Sequence, residues 1–236
     1  MGPCFMDKQL SAEHAGVLIE LNERLNLNPR AFALVVSGPS GVGKSSICEG
    51  VLEQDPGVQP CVTTTTRIKR PGEVEGVDYH FISDAAFGEK VARGEFIERA
   101  EVYGFSYGAT IGAVSTALAN AQVVLLDVDV QGAATWKEVF RDRCVTVFVL
   151  PPSIAVLKRR LEERKTEAKT AFRRRMESVW QEIGQAASYD YLIINHSLEQ
   201  AILDLQAIIR AEKRRPWRMQ DVLSGFGVSQ GADDST

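Results

Sequence analysis

The sequence predicts an α/β fold with a parallel β-sheet flanked by helices, and three observations predict it. Short apolar runs without polar alternation recur along the chain, stretches of helical length separate most of them, and a glycine-rich loop closes the first run. Unalternated apolar runs suit strands covered on both faces, as in parallel sheets. Strands that alternate with helices imply crossover connections.

The elements follow in order. Residues 11–26 place Val17, Leu18, Leu21 and Leu25 near helical spacing, and Asn28-Pro29 ends the pattern. This stretch belongs to an N-terminal extension, 1–31, read as packing on the outside of the domain or on a partner subunit. The main domain spans 32–215. Strands are expected at 31–36, 123–126, 145–150 and 191–194, with helices at about 44–54, 131–139, 153–164 and 198–213. Residues 61–112 break the rhythm, being rich in Thr, Arg, Gly, Tyr and Glu. They read as an insertion with short strands of its own. Residues 156–175 are dense in Lys and Arg, and 216–236 read as a disordered tail.

Composition narrows the setting. The 236 residues are 44% hydrophobic, enough for one domain with a full core. A formal net charge of −4 gives no bulk attraction to nucleic acid or to an anionic membrane. Cys4, Cys48, Cys61 and Cys144 form no C-x-x-C pair, and His14, His80 and His196 are scattered. That is a poor zinc site and a poor disulfide framework, so a reduced cytoplasm is expected. Residues 1–28 contain no long apolar stretch of the kind a leader or membrane span needs.

The first sharp motif is Gly38-Pro39-Ser40-Gly41-Val42-Gly43-Lys44-Ser45, followed by Ser46. It matches G-x-x-x-x-G-K-[ST], the phosphate-binding loop of a P-loop NTPase core. Glycines let backbone N–H groups converge on phosphate oxygens, and the following helix adds its positive end. Lys44 would reach the β- and γ-phosphates of ATP, and the Ser45 hydroxyl would ligate Mg²⁺. Chance alone yields this pattern in on the order of one chain per hundred of this length, and its place between an apolar strand and a helix argues further against coincidence. Val123 to Leu126 runs into Asp127, as a metal-holding aspartate at a strand end should.

A phosphate loop does not choose among kinases, GTPases and motors. Further along come Thr63 to Glu73 (TTTTRIKRPGE), Asp78-Tyr79-His80-Phe81, Gly94 to Glu98, Tyr107-Gly108 and Leu126 to Gly132. Pro151-Pro152-Ser153, Arg160 to Arg164 and Tyr189 to Asn195 complete the series. Together these resemble, in order, the motifs of guanylate kinases over about residues 32–215. The resemblance implies phosphoryl transfer from ATP to GMP, a GMP-binding insert at about 63–112 and a helical lid at about 154–176. It implies that Arg67, Arg70 and Tyr79 grip the GMP phosphate and that Glu73 orients an arginine. Glu98 and Asp129 would read guanine, with Thr63 and Tyr107 nearby. Guanine offers donors at N1 and its 2-amino group, and carboxylates only accept; adenine would leave them unpaired.

By the same resemblance Arg160, Arg164 and Arg175 match lid arginines that reach the ATP phosphates, and Asn195 lies near the adenine. Lys158, Arg159, Lys165, Lys169, Arg173 and Arg174 read instead as a solvated helix face. Three positions depart from the family pattern. Ala109 stands where a Thr or Ser hydroxyl contacts guanine, so that contact is lost or moved to Thr110; Lys165 stands where Gly usually follows Arg164; and Thr63 stands at a position often held by Ser. A guanylate-kinase-like binding module without catalysis is the alternative, but Gly43, Lys44 and Ser45 are intact. A GTPase would need an N-K-x-D motif, which the chain lacks. The motifs leave monomer and homo-oligomer undecided.

Overall fold

The computed structural model describes residues 30–102, 104–163 and 169–227. The predicted helix at 11–26, Arg164, Lys165 and the chain beyond 227 lie outside the described residues, as does the side chain of Arg175.

The main sheet is parallel throughout. Its strands are β1 (Phe32–Ser37), β2 (Val58–Pro60), β7 (Val123–Asp127), β8 (Cys144–Leu150) and β9 (Tyr191–Ile194), in the order β2-β7-β1-β8-β9. Every residue of β1 is buried, because β1 is central and both faces of the sheet are covered. That is why its sequence carries no polar alternation. On one face Leu34, Val36 and Val147 pack against Ile47 and Val51 of α1 (Lys44–Gln54) and Leu205 and Ile209 of α7 (Leu198–Glu212). On the other, Ala33, Val35 and Leu126 meet Val114 and Leu118 of α3 (Ile111–Asn120) and Trp136 of α4 (Val130–Phe140). Burying each of the larger side chains contributes about 1.5–3 kcal/mol.

A second sheet lies in the insert. It comprises β3 (Thr63–Thr65), β4 (Tyr79–Phe81), β5 (Phe96–Val102) and β6 (Phe105–Thr110), ordered β4-β3-β6-β5. Its helix α2 (Asp84–Ala92) starts at Ser83, whose side chain accepts from the Ala86 N–H. The basic region forms α5 (Ile154–Glu163) and α6 (Lys169–Ile183), which share a small core of Leu157, Leu161, Met176 and Val179.

The region 216–236 departs from the expected disordered tail over its first ten residues. Pro216–Arg218 form a turn of 3-10 helix, and α8 spans Gln220–Gly225. Arg218 is only 1% exposed and lies between the rings of Phe32 and Trp217, at 4.2 and 4.0 Å from their centroids. It donates to Glu212 (3.4 Å), which also accepts from Tyr191 Oη (2.6 Å) and Arg215 Nε (2.9 Å). The composition of 216–236 is polar, but one aromatic and one arginine suffice to anchor its start beneath β1.

Candidate active site

The site grows from the C-terminal end of β1, where the chain leaves the sheet into Gly38–Ser45. Gly38 has φ +139, and a Cβ there would sit 2.4 Å from the Val149 carbonyl oxygen of neighbouring β8. Gly41 and Gly43 also take positive φ, +84 and +102. The loop therefore needs glycine at these three positions for its path. Gly43 is the N-cap of α1 and has no capping side chain. The first N–H groups of α1 and its positive end are thus left to face an anion. Lys44 Nζ donates to the Gly38 and Pro39 carbonyls (2.7 and 3.4 Å), which holds the ammonium over the loop. Ser40, Val42 and Ser46 complete the segment on either side.

Ser45 Oγ donates to Asp127 Oδ2 at 2.7 Å. Parallel pairing of β1 with β7 sets Val36 opposite Asp127 and so brings this carboxylate beside the loop. A hydroxyl and a carboxylate oxygen side by side are the donor set that a hard cation such as Mg²⁺ accepts, so these two residues fit it.

In the insert, strand register puts one set of side chains on one face of the second sheet. Thr63 pairs with Tyr79, Thr65 with Phe81 and Tyr107, and Ala109 with Glu98. Paired residues share a face, and so do residues two apart. Tyr79 meets Tyr107 edge to face, with centroids 6.0 Å apart. Arg67 follows β3 and is 8% exposed, its guanidinium 5.5 Å from the Tyr79 centroid. Glu73 grips it in two parallel bonds of 3.0 and 2.7 Å and also accepts from the Arg70 N–H (2.7 Å). These bonds raise the Arg67 pKa and hold the Glu73 carboxyl below its usual range. The Arg70 side chain is exposed.

Glu98 is 7% exposed. Burial, reinforced by the nearby charge of Asp129, pushes its pKa up to about 7; the Trp136 indole N–H partly offsets this without closing a well-formed hydrogen bond. A Cβ on Gly132 would lie 3.1 Å from Glu98 Oε1, so the glycine admits the carboxyl against α4. Asp129 is the N-cap of α4 and accepts from the Gly132 N–H at 2.8 Å.

The structure thus gathers Lys44, Ser45 and Asp127 at the loop, Arg67, Glu73, Tyr79 and Tyr107 on the second sheet, and Glu98 with Asp129 where β5 meets α4. Arg160 lies by the loop, donating to the Val42 carbonyl at 3.3 Å. Thr110 is occupied elsewhere: its hydroxyl caps α3 by accepting from Ala113 N–H (3.2 Å). Ala109 is fully buried among apolar side chains. The structural roles of Trp136 beside Glu98 and of Asn195 against the loop were not read from the sequence. For Asn195 a signal existed, since it follows an apolar strand as Asp127 does.

Comparison with known proteins agrees with this arrangement. The guanylate kinase family model matches residues 30–212. A guanylate kinase of Symbiobacterium thermophilum is 46% identical over 204 residues, covering 86% of this chain and 96% of that protein. One of Carboxydothermus hydrogenoformans is 43% identical, covering 80% and 93%. The crystal structure of guanylate kinase from Anaplasma phagocytophilum superposes with a TM-score of 0.68 at 30% identity, covering 86% of this chain and 99% of that one. With the family model covering residues 30–212 and its sequence and fold similar to guanylate kinases over most of its length, the chain belongs to the guanylate kinase family.

Proposed function

We propose that this protein transfers the terminal phosphoryl group of ATP to GMP, giving ADP and GDP. The carrying observation is the presence of two phosphate-binding elements, an uncapped helix end behind the Gly38–Ser45 loop and an arginine pre-oriented by Glu73. A phosphate oxygen of GMP attacks the γ-phosphorus of ATP in line, and the bond to the bridging β-γ oxygen breaks. Such transfer needs positioning and charge stabilisation rather than a covalent nucleophile.

Backbone N–H groups along the Gly38–Ser46 segment, other than Pro39, which has none, and Val42, which donates to the Pro39 carbonyl, would hold the ATP phosphates, and Lys44 would follow negative charge onto the transferring group. Arg67, with Arg70 and Tyr79, would fix the GMP phosphate; Glu73 keeps the Arg67 fork in one rotamer so that little freedom is lost on binding. Glu98 and Asp129 would accept from the guanine N1–H and 2-amino group, with Thr63 and Tyr107 lining the same face. Ser45 and Asp127 would hold Mg²⁺, which supplies charge neutralisation across the phosphates when bound. Arg160, Arg164 and Arg175 would approach the phosphates from the lid.

Cytoplasmic residence is supported by Cys48, Cys61 and Cys144, which are buried free thiols whose pKa values burial raises, to about 12 for Cys61 and Cys144. Among the described residues no helix is long and apolar enough to cross a membrane. The test is ADP release measured with each of the four ribonucleoside monophosphates. GMP should dominate; equal turnover of AMP would overturn the reading.

A further inference from the structure

Asn195 ends the edge strand β9 and is 4% exposed. Its N–H donates to the Leu150 carbonyl (2.8 Å), which continues the β8-β9 ladder and fixes its backbone. Its Nδ2 donates to the Val42 carbonyl, also at 2.8 Å. Arg160 of α5 donates to that same oxygen at 3.3 Å. Two side chains from different elements therefore hold one carbonyl of the phosphate loop.

That carbonyl shares a peptide plane with the Gly43 N–H. All described peptides are trans, so oxygen and hydrogen point in opposite directions. Pulling the Val42 oxygen outward turns the Gly43 N–H inward, to where the loop converges. Gly43 has φ +102, and a Cβ there would lie 2.6 Å from Asn195 Nδ2. The loop path and the asparagine amide are thus fitted to each other, with no room for a side chain between them.

We infer that Asn195 is a positioning residue that sets the plane of the Val42–Gly43 peptide and so aims a backbone N–H at the phosphates of ATP. The inference rests on the reading of this loop as the ATP site. Arg160 is a second grip on the same oxygen. Asn195 is the grip fixed to the sheet through its own backbone. Its effect belongs to the ATP side of the reaction and leaves the GMP side untouched.

The test compares wild type, Asn195→Asp and Asn195→Ala. The aspartate keeps the shape and removes the donor. ADP affinity is measured by calorimetry without GMP, KM for ATP and GMP by steady-state kinetics, and folding by thermal melts. In folded variants, ADP affinity should fall and KM for ATP rise about five- to tenfold, the size of one lost hydrogen bond, with KM for GMP within about twofold. Unchanged ADP affinity in folded Asn195→Asp, or equal rises in both KM values, would overturn the inference. If neither variant folds, NMR of the wild type decides. A through-bond coupling from the Asn195 amide to the Val42 carbonyl, with a Gly43 amide shift on adding ADP, supports the role; its absence refutes it. A wild type that binds ADP without phosphorylating GMP overturns the functional reading alone, because ADP affinity still judges Asn195.

Discussion

Glu98 is a carboxyl group held near neutrality by its surroundings, with a pKa of about 7. Burial dominates; Asp129 adds repulsion, and Cys61 lies close enough for Glu98 to raise its thiol in turn. Guanine presents donors, so it binds the ionised carboxylate and opposes the protonated form. GMP binding therefore strengthens as pH rises through about 7 and weakens below it. KM for GMP should rise about tenfold from pH 8 to pH 6 while KM for ATP changes little; a flat GMP profile would refute the assignment. Lys44→Ala should fold and lose about a hundredfold or more in kcat, since the ammonium acts on charge formed during transfer. Retention of a tenth of the activity would argue against that role. By the family resemblance a Thr or Ser at position 109 contacts guanine. The fully buried methyl points to a different outcome. Ala109→Thr should overpack the cluster around Trp136 and cost about 1–3 kcal/mol, read as a lower midpoint in urea.

Asp129 shows how one element serves two ends. It caps α4 through Gly132 while lying beside Glu98. Asn caps as well as Asp, so Asp129→Asn should keep stability yet lose preference for GMP over AMP. Asp129→Ala should lose both, with about 1 kcal/mol less stability. Urea midpoints and kcat/KM for the two nucleotides distinguish these outcomes. Legibility in the sequence followed the same logic of element and burial. Strands β1, β7 and β8 read correctly because a strand covered on both faces must be apolar nearly throughout. Edge strand β9 read by its apolar run although Leu192 and Ile194 are exposed, and α1 read to its ends because Gly43 opens it and Pro56 lies just past it. Strand β2 was missed because only Val58 of its three residues is buried. Helix α2 was missed because it lies inside the insert, read as short strands, and α3 because Gly108 and Gly112 flank its cap at Thr110. In the site, the motifs gave residue types but no partners. Whether Glu73 held Arg67 or faced solvent depended on a loop closing over six residues, and the neutrality of Glu98 depended on a helix brought from elsewhere in the chain.

At the scale of the molecule, the two phosphate-binding elements stand on different bodies, the main sheet and the insert, with α5 and α6 forming a third cluster. Transfer requires them to approach and exclude water. Small-angle scattering should therefore show a smaller radius of gyration with ATP and GMP analogues together than without them; no change would count against closure. The Glu212–Arg218 anchor lies at the other end of the strands, under Phe32. Arg218→Ala should lower stability by about 3 kcal/mol and leave kcat unaltered. The strand order carries a consequence for synthesis. β1 leaves the ribosome first among the described strands, yet its neighbours in the sheet are β7 and β8, which end at Asp127 and Leu150. A nascent chain thus carries the Phe32–Ser37 segment unpaired until synthesis has passed Asp127. The glycine loop takes its nucleotide-holding shape only after β8 has emerged to receive Gly38 against Val149. Stalled chains ending before residue 144 should pass through an ADP resin, and chains extending past Asn195 should be retained.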